Sequence, residues 1–320
     1  MENLTPTTSE SPLMCRNCST VLTGPFCHHC GQASRTYIAP LSGLGKEVAA
    51  DVLAYDSRVW RTLKALLLKP GLLSQEYVQG KRARYTPPTR LYLITSILAF
   101  LMVALLISST DMALDMTDGF SEGFNAEPRT AIEINGADWH PEDNPVELRW
   151  LSAAGNAWLN RQVAVISANA SELISNPGRV VRSAASLLPQ TMFVILPMFS
   201  AWVGVFYLLS KRYYIEHLLL QVHNHAFLFL SLVVLYWITL IRSPLATASF
   251  FGHGALDSVL LWTGTAIWLW LPVYVLLSMK RFYGQSWAMT LTKGVVLGLS
   301  YLLMLIMALG VVMILGIWRL

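Results

Sequence analysis

Four cysteines, Cys15, Cys18, Cys27 and Cys30, are the residues of this chain best spaced for chemistry. They form two C-x-x-C pairs, C-R-N-C and C-H-H-C, separated by eight residues. Two such pairs at short separation are what a tetrahedral four-thiolate zinc site requires, each pair turning both sulfurs toward one ion. Gly31, directly after Cys30, suits the tight turn of the second pair, and Leu22–Phe26 suits a short hairpin between the two. The expected cofactor is therefore one structural zinc ion. Four thiolates leave no open position for water, so catalysis by that metal is not expected. Two disulfides are the alternative pairing, disfavoured in a cytoplasmic segment. His28 and His29 are not needed as ligands, and the thin basic content around the ribbon, Arg16 and Arg35, gives no nucleic-acid footprint.

A second set of reactive types lies in Y-Y-I-E-H-L-L-L-Q-V-H-N-H-A-F, from Tyr213 to Phe227. At 100° per residue Glu216 and His223 share one helical stripe, His217, Gln221 and Asn224 share its neighbour, and His225 lies further round. Inside a membrane such groups face a cavity or a partner helix. No two of the histidines stand at i, i+3 or i, i+4, so a metal held by them would need ligands from other helices. The patch reads first as a structural hydrogen-bond network, then as a proton or substrate pathway, and last as a catalytic centre. No nucleophile elbow, phosphate-binding loop or dinucleotide fingerprint occurs, and the expectation leans away from an enzyme. A third set, Lys81, Arg82, Arg84, Tyr85 and Arg90, is basic and aromatic, the composition of a headgroup or interface contact.

The elements that must position these residues are membrane helices. Of 320 residues 54% are hydrophobic and 13% charged, with a mean hydropathy of +0.48, which excludes disordered, collagen-like and disulfide-dense secreted classes. Five stretches without Asp, Glu, Lys or Arg, 91–110, 183–210, 217–241, 258–279 and 294–318, predict spans at about 91–109, 187–209, 218–241, 258–279 and 295–317. The 90 residues before them hold 11 basic and 6 acidic residues, whereas loop 111–186 holds 5 and 11. This bias alternates with five crossings and predicts a cytoplasmic N-terminus and an extracytoplasmic C-terminus. Residues 1–14 lack a basic start and an apolar core and read as a disordered tail rather than a signal peptide.

The predicted fold is thus an all-α polytopic membrane protein of about five transmembrane helices. A zinc ribbon over 15–40 and an amphipathic connector over 41–90 precede a transmembrane domain over 91–320. Within the connector, 44–69 and 72–79 read as helices broken at Lys69-Pro70-Gly71. In the outer loop 110–186, residues 111–146 read as irregular and 147–175 as an amphipathic helix.

The blocks C-H-H-C-G-Q (Cys27–Gln32), K-P-G (Lys69–Gly71), Y-V-Q-G-K-R-A-R-Y (Tyr77–Tyr85), P-P-T-R-L-Y (Pro87–Tyr92) and the run from L-P-M-F through Y-Y-I-E-H to H-N-H-A-F-L-F-L (Leu196–Leu230) occur in one order. In that order they resemble a family of bacterial membrane proteins catalogued as domain of unknown function 3667. The resemblance implies a zinc-ribbon-bearing protein of the bacterial cytoplasmic membrane, and supplies no activity. It directs attention to Lys81, Arg82, Tyr85, Arg90, Glu216, His217, His223 and His225. Two functions are expected to compete. One is a scaffold or regulator whose ribbon and basic connector engage a cytoplasmic protein. The other is a small transporter or lipid-handling protein working through Glu216, His217, His223 and His225. The bilayer is the expected partner, nucleic acid is not, and oligomeric state stays open.

Overall fold

The computed structural model describes residues 13–34, 57–109, 133–134, 137–140, 142–175, 182–245 and 253–318. The tail before residue 13, the end of the expected ribbon and the start of the connector over 35–56, and all of 110–132 lie outside the described residues. The helices are α1 (Ser57–Leu68), α2 (Leu72–Val78), α3 (Pro88–Ser109), α4 (Ala153–Ser175), α5 (Leu188–Phe206), α6 (Tyr214–Leu245), α7 (His253–Tyr283) and α8 (Trp287–Trp318). A two-residue antiparallel ladder, β1 (Glu133–Ile134) with β2 (Ala137–Asp138), precedes α4.

Five helices, α3, α5, α6, α7 and α8, are long and apolar enough to cross a membrane, which makes this a multi-pass membrane protein. They leave large apolar side chains uncovered, Val194, Trp262 and Met307 among them, as lipid-facing helices must. Only 11% of the apolar window of α8 is buried by protein. The spans end where the composition dictates. Pro87 and Pro88 set the start of α3, because the missing N–H and fixed φ of proline suit a first helical turn. Gly284 at φ 66° closes α7.

The chain divides into two compact units, Met1–Ile97 with Ser200–Val295, and Leu98–Phe199 with Val296–Leu320. In the first, Ala65, Leu66, Leu73, Tyr85 and Leu91 from the connector and the start of α3 share a core with Ala226 and Phe227 of α6 and Leu271 and Tyr274 of α7. Phe227 and Tyr274 stack at 3.5 Å with an interplanar angle of 7°. In the second unit Ala184, Leu187 and Val312 form a small core, and Phe199 meets Tyr301 edge-on at 4.8 Å.

The second unit shows order that periodicity did not announce. Asn160, on α4, accepts from Val146 N at 2.8 Å and donates to Val146 O at 2.9 Å, while Asn156 accepts from Leu148 N at 2.9 Å. Two asparagines one helical turn apart therefore pin the strap 146–148 onto the helix that follows it, and that helix begins at Ala153, not at 147 where the apolar spacing placed it. Side-chain amides can replace a sheet ladder in this way because each presents both a donor and an acceptor.

Candidate functional site: the cysteine ribbon and the helix ends that hold it

The ribbon is built twice over. Met14 bridges Val21 and Phe26 bridges Ala33, so each C-x-x-C pair sits in its own small hairpin. Ser19 N donates to Cys15 O and Cys15 N to Thr20 O, and twelve residues on Gly31 N donates to Cys27 O and Cys27 N to Gln32 O, all at 2.8 Å. Ser19 and Gly31, at equivalent places, both take left-handed backbone, with φ of 60° and 72°. The two knuckles bring all four sulfurs within 4.8 Å of one another. Cys15 and Cys30 Sγ are 3.6 Å apart and Cys18 and Cys27 Sγ 3.5 Å. A disulfide would bring them to about 2.05 Å, whereas four thiolates at about 2.3 Å from one tetrahedral ion lie about 3.8 Å apart. The cysteines are free thiols set for a metal. Burial pushes the Cys15 thiol up to about 11, while its hydrogen-bonded contact with Thr20 brings Cys18 down to about 6. A bound dication supplies the charge that deprotonates such a set together.

Gln32, the last residue of C-H-H-C-G-Q, fastens the ribbon to the connector. Its Nε2 donates to Gly80 O at 2.7 Å, and its Oε1 accepts from Arg82 N and Ala83 N, each at 3.0 Å. Arg16, from the other knuckle, lies against Gly80 so closely that a Cβ there would stand 2.8 Å from the arginine Cδ. The loop 80–85 is held from its other side by Glu76, ion-paired with Lys81 at 3.2 Å. Burial by itself would raise the Glu76 carboxyl, but the Tyr85 hydroxyl and Lys81 outweigh it and hold the group below the usual carboxylate range. The same burial and the Glu76 contact push Tyr85 up to about 12.

The connector in turn is seated on α6 and α7. Tyr274 OH donates to Leu66 O at 2.7 Å, and Arg281 Nη1 donates to Pro70 O at 2.5 Å. Gly71, at φ 72°, packs so tightly that a Cβ would stand 2.7 Å from Ser278 O. Ser74, wholly buried, is hydrogen-bonded to His223 Nδ1 at 2.9 Å. The K-P-G break thus lets two short helices turn against the flank of α7 with a serine aimed at the histidine patch.

The patch residues do not converge on one point. His217 Nδ1 is hydrogen-bonded to Tyr283 OH at 2.7 Å, and Tyr283 stacks on Tyr207 at 3.5 Å. Glu216 accepts from Arg212 at 2.9 Å, and the same guanidinium donates to Phe282 O at 2.7 Å. Ser278 donates to Asn224 Oδ1 at 2.9 Å, leaving Asn224 Nδ2 buried without a partner. His225 Nδ1 donates to Gln221 O at 2.8 Å. Each histidine therefore commits its Nδ1 to a different element: the end of α7, the connector, or the preceding turn of α6.

Helix length shows why these groups can be there. α6 and α7 run 32 and 31 residues, about 47 Å at 1.5 Å per residue, against a hydrocarbon core of about 30 Å. Near their other ends Arg242 and Asp257 form a two-pronged ion pair, at 2.8 and 3.2 Å, of the kind that belongs at an interface. Counting roughly 20 residues from that pair reaches the neighbourhood of His223 on α6 and Ser278 on α7. By this count Glu216, His217 and Gln221 fall in the surplus turns, and His223, Asn224 and His225 in the last turn of the roughly 20-residue stretch.

Among the expected interface residues, Lys81, Arg82, Arg84 and Tyr85 form the loop that Gln32 grips, and Arg90 begins α3. Sequence reasoning missed Gln32, Ser74, Tyr283 and Arg281. The first two are small polar residues whose partners lie 48 to 149 positions away, and no local spacing marks them. Arg281 and Tyr283 carried a signal, a Lys-Arg-aromatic helix end, that reads equally well as ordinary interface anchoring.

Fold and site together define a multi-pass helical membrane protein with a four-cysteine metal-binding ribbon clasped to its connector. Residues 56–100 match the model of a family described as "Protein of unknown function (DUF3667)". The match covers α1, the K-P-G turn, α2, the loop gripped by Gln32 and the first half of α3, and bears out the resemblance over that segment. No curated protein and no solved structure matches the chain.

Proposed function

We propose that this chain is a non-catalytic scaffold or regulator of the bacterial cytoplasmic membrane, and that its ribbon holds one structural zinc ion and docks a cytoplasmic protein. The observation that carries the reading is the unbroken chain of bonds from Gln32 through the 80–83 loop and the connector to α6 and α7. It ties a small metal-folded module rigidly to the membrane helices while leaving Leu13, Met14, Val21 and Phe26 of the ribbon exposed. A module of some twenty residues that displays apolar groups next to a rigid mount suits a partner better than a substrate. The basic bias supports an N-terminus inside and a C-terminus outside, and a reporter fused after Leu320, expected to be active only outside, tests that orientation.

The second reading, proton-linked or headgroup transport through Glu216, His217, His223 and His225, is supported by the burial of the three histidines and the partial burial of Glu216. Their separate commitments to Arg212, Tyr283, Ser74 and Gln221 favour the structural role. Metal analysis and proteoliposome flux separate the two. The scaffold predicts one zinc per chain, lost in Cys15→Ser/Cys18→Ser and kept in His217→Ala/His223→Ala/His225→Ala, with no flux sensitive to Glu216→Gln. A proton or lipid flux abolished by Glu216→Gln or His223→Ala in a folded protein replaces the scaffold with the transporter.

A further inference from the structure

Along the basic run from Lys81 to Arg90, each cation but one meets a carboxylate or an aromatic ring among the described residues. Lys81 pairs with Glu76, Arg82 lies over the Tyr77 ring at 4.8 Å and Arg84 over the Tyr85 ring at 5.8 Å. Arg90 is only 5% exposed, its Nε is buried without a hydrogen-bond partner, and it has no ion pair among the described residues.

Its position makes the missing counter-charge more telling. Arg90 stands in the first turn of α3, a helix of 22 residues, where the backbone N–H groups of Thr89 and Arg90 have no intrahelical acceptor. That end carries the positive pole of the helix dipole, which favours anions and opposes a guanidinium. Helical side chains lean toward the N-terminus, which directs the Arg90 side chain toward this mouth. A second helix adds to the positive charge. Thr86 N donates to Thr62 Oγ1 at 2.9 Å, which sets α1 beside the turn preceding Arg90, and Arg61 Nη1 reaches Arg84 O at 3.4 Å. Between residues 57 and 100 the single carboxylate is Glu76, already engaged by Lys81 and Tyr85.

We infer that the α1–α3 junction binds the phosphate group of an anionic molecule, with the Arg90 fork and the free N–H groups of the α3 start as its donors. A buried cation needs a hydrogen-bonded counter-charge, and phosphate matches both a planar guanidinium and a helix N-terminus. The surroundings fit a phosphate carrying acyl chains. Ile94 and Ile97 follow Arg90 at i+4 and i+7 on the same face of α3, Ile97 being 62% exposed, and Trp60 on α1, next to Arg61, is 67% exposed. A phospholipid headgroup and free phosphate share the chemistry and differ in their need for these apolar surfaces.

The test uses the full-length protein, delipidated in neutral detergent, titrated with phosphatidylglycerol and, separately, inorganic phosphate, and read by native mass spectrometry and thermal stability. Wild type is expected to take up one phosphatidylglycerol saturably and to melt higher with it. Arg90→Gln is expected to bind it about tenfold or more weakly, the loss of a charge-assisted bidentate contact. Inorganic phosphate binding as tightly as the lipid, and lost in Arg90→Gln, supports the phosphate site and assigns it to a soluble ligand. If Arg90→Gln does not fold, Arg90→Lys decides, since it keeps the charge and loses the fork. Weaker binding by Arg90→Lys supports the site, and unchanged binding overturns it. Equal binding by wild type and Arg90→Gln, or no saturable uptake of either probe by wild type, also overturns the inference.

Discussion

Gln32 shows how much a single side chain can decide. Its amide makes three bonds to the 80–83 loop, two of them to backbone N–H groups that no helix satisfies. In Gln32→Ala the amides of Arg82 and Ala83 should exchange hydrogen much faster, and the fold should lose about 1–3 kcal/mol, the cost of leaving buried donors unmet. Metal content should be unchanged, because Gln32 holds the loop and not the ion. Retained protection at Arg82 and Ala83 in that variant would show that the ribbon is mounted by other contacts. Glu76 adds a pH dependence whose sign is fixed by its environment. Its folded pKa lies below the ordinary carboxylate value, so its contribution is complete above the unfolded pKa, near 4.3, and is lost as pH falls through the folded value. Thermal melts across acid pH should therefore show a stability loss below about pH 4 that Glu76→Gln reduces. Parallel melting curves for the two proteins would remove Glu76 from the account.

Among the elements, the connector decides the most. Its two short helices would be marginal alone, since a helix of seven or twelve residues cannot recover its nucleation cost in water. They form because Leu66 and Leu73 enter the core beside Tyr274 and Phe227, and because Ser74 and Pro70 meet His223 and Arg281. Gly71→Ala should be strongly destabilising, by about 2 kcal/mol or more, since it adds a left-handed penalty to a clash with the backbone of α7. Ser74→Ala and His223→Ala should each cost about 1–3 kcal/mol, and the double variant less than their sum, by about 0.5 kcal/mol or more. Additive costs in that cycle would mean that the 2.9 Å contact couples nothing. The break at Lys69-Pro70-Gly71 and the helices on either side of it were legible from proline, glycine and apolar spacing. The docking surface was not, because an amphipathic period shows that a face is buried and is silent about what buries it.

At the scale of the molecule, metal and membrane fold different parts. The ribbon has no apolar core of its own, so chelation in detergent should release it and expose loop 80–83 to protease, while the far-ultraviolet helical signal stays nearly unchanged. A large loss of helicity on chelation would instead place the transmembrane helices under the metal's control. Much of this architecture follows from the sequence by itself. Five charge-free stretches compel five helices because an apolar segment of that length has no other way to satisfy its backbone in lipid. Two C-x-x-C pairs compel a four-thiolate cluster because the spacing is local and the geometry of the turn does the rest. Other features needed the tertiary structure. Glu216, His217, His223 and His225 were legible as a patch, yet whether they gather round an ion or disperse to Arg212, Tyr283, Ser74 and Gln221 depends on neighbours supplied by distant segments. Likewise Arg90 read as one of several interface cations, and only the packing of α1 beside α3 singled it out as buried and without an ion pair among the described residues. Periodicity and spacing report what a segment does to itself. Partners at separations of 48 to 211 residues are chosen by how the helices pack, and that choice is written in no single stretch of the chain.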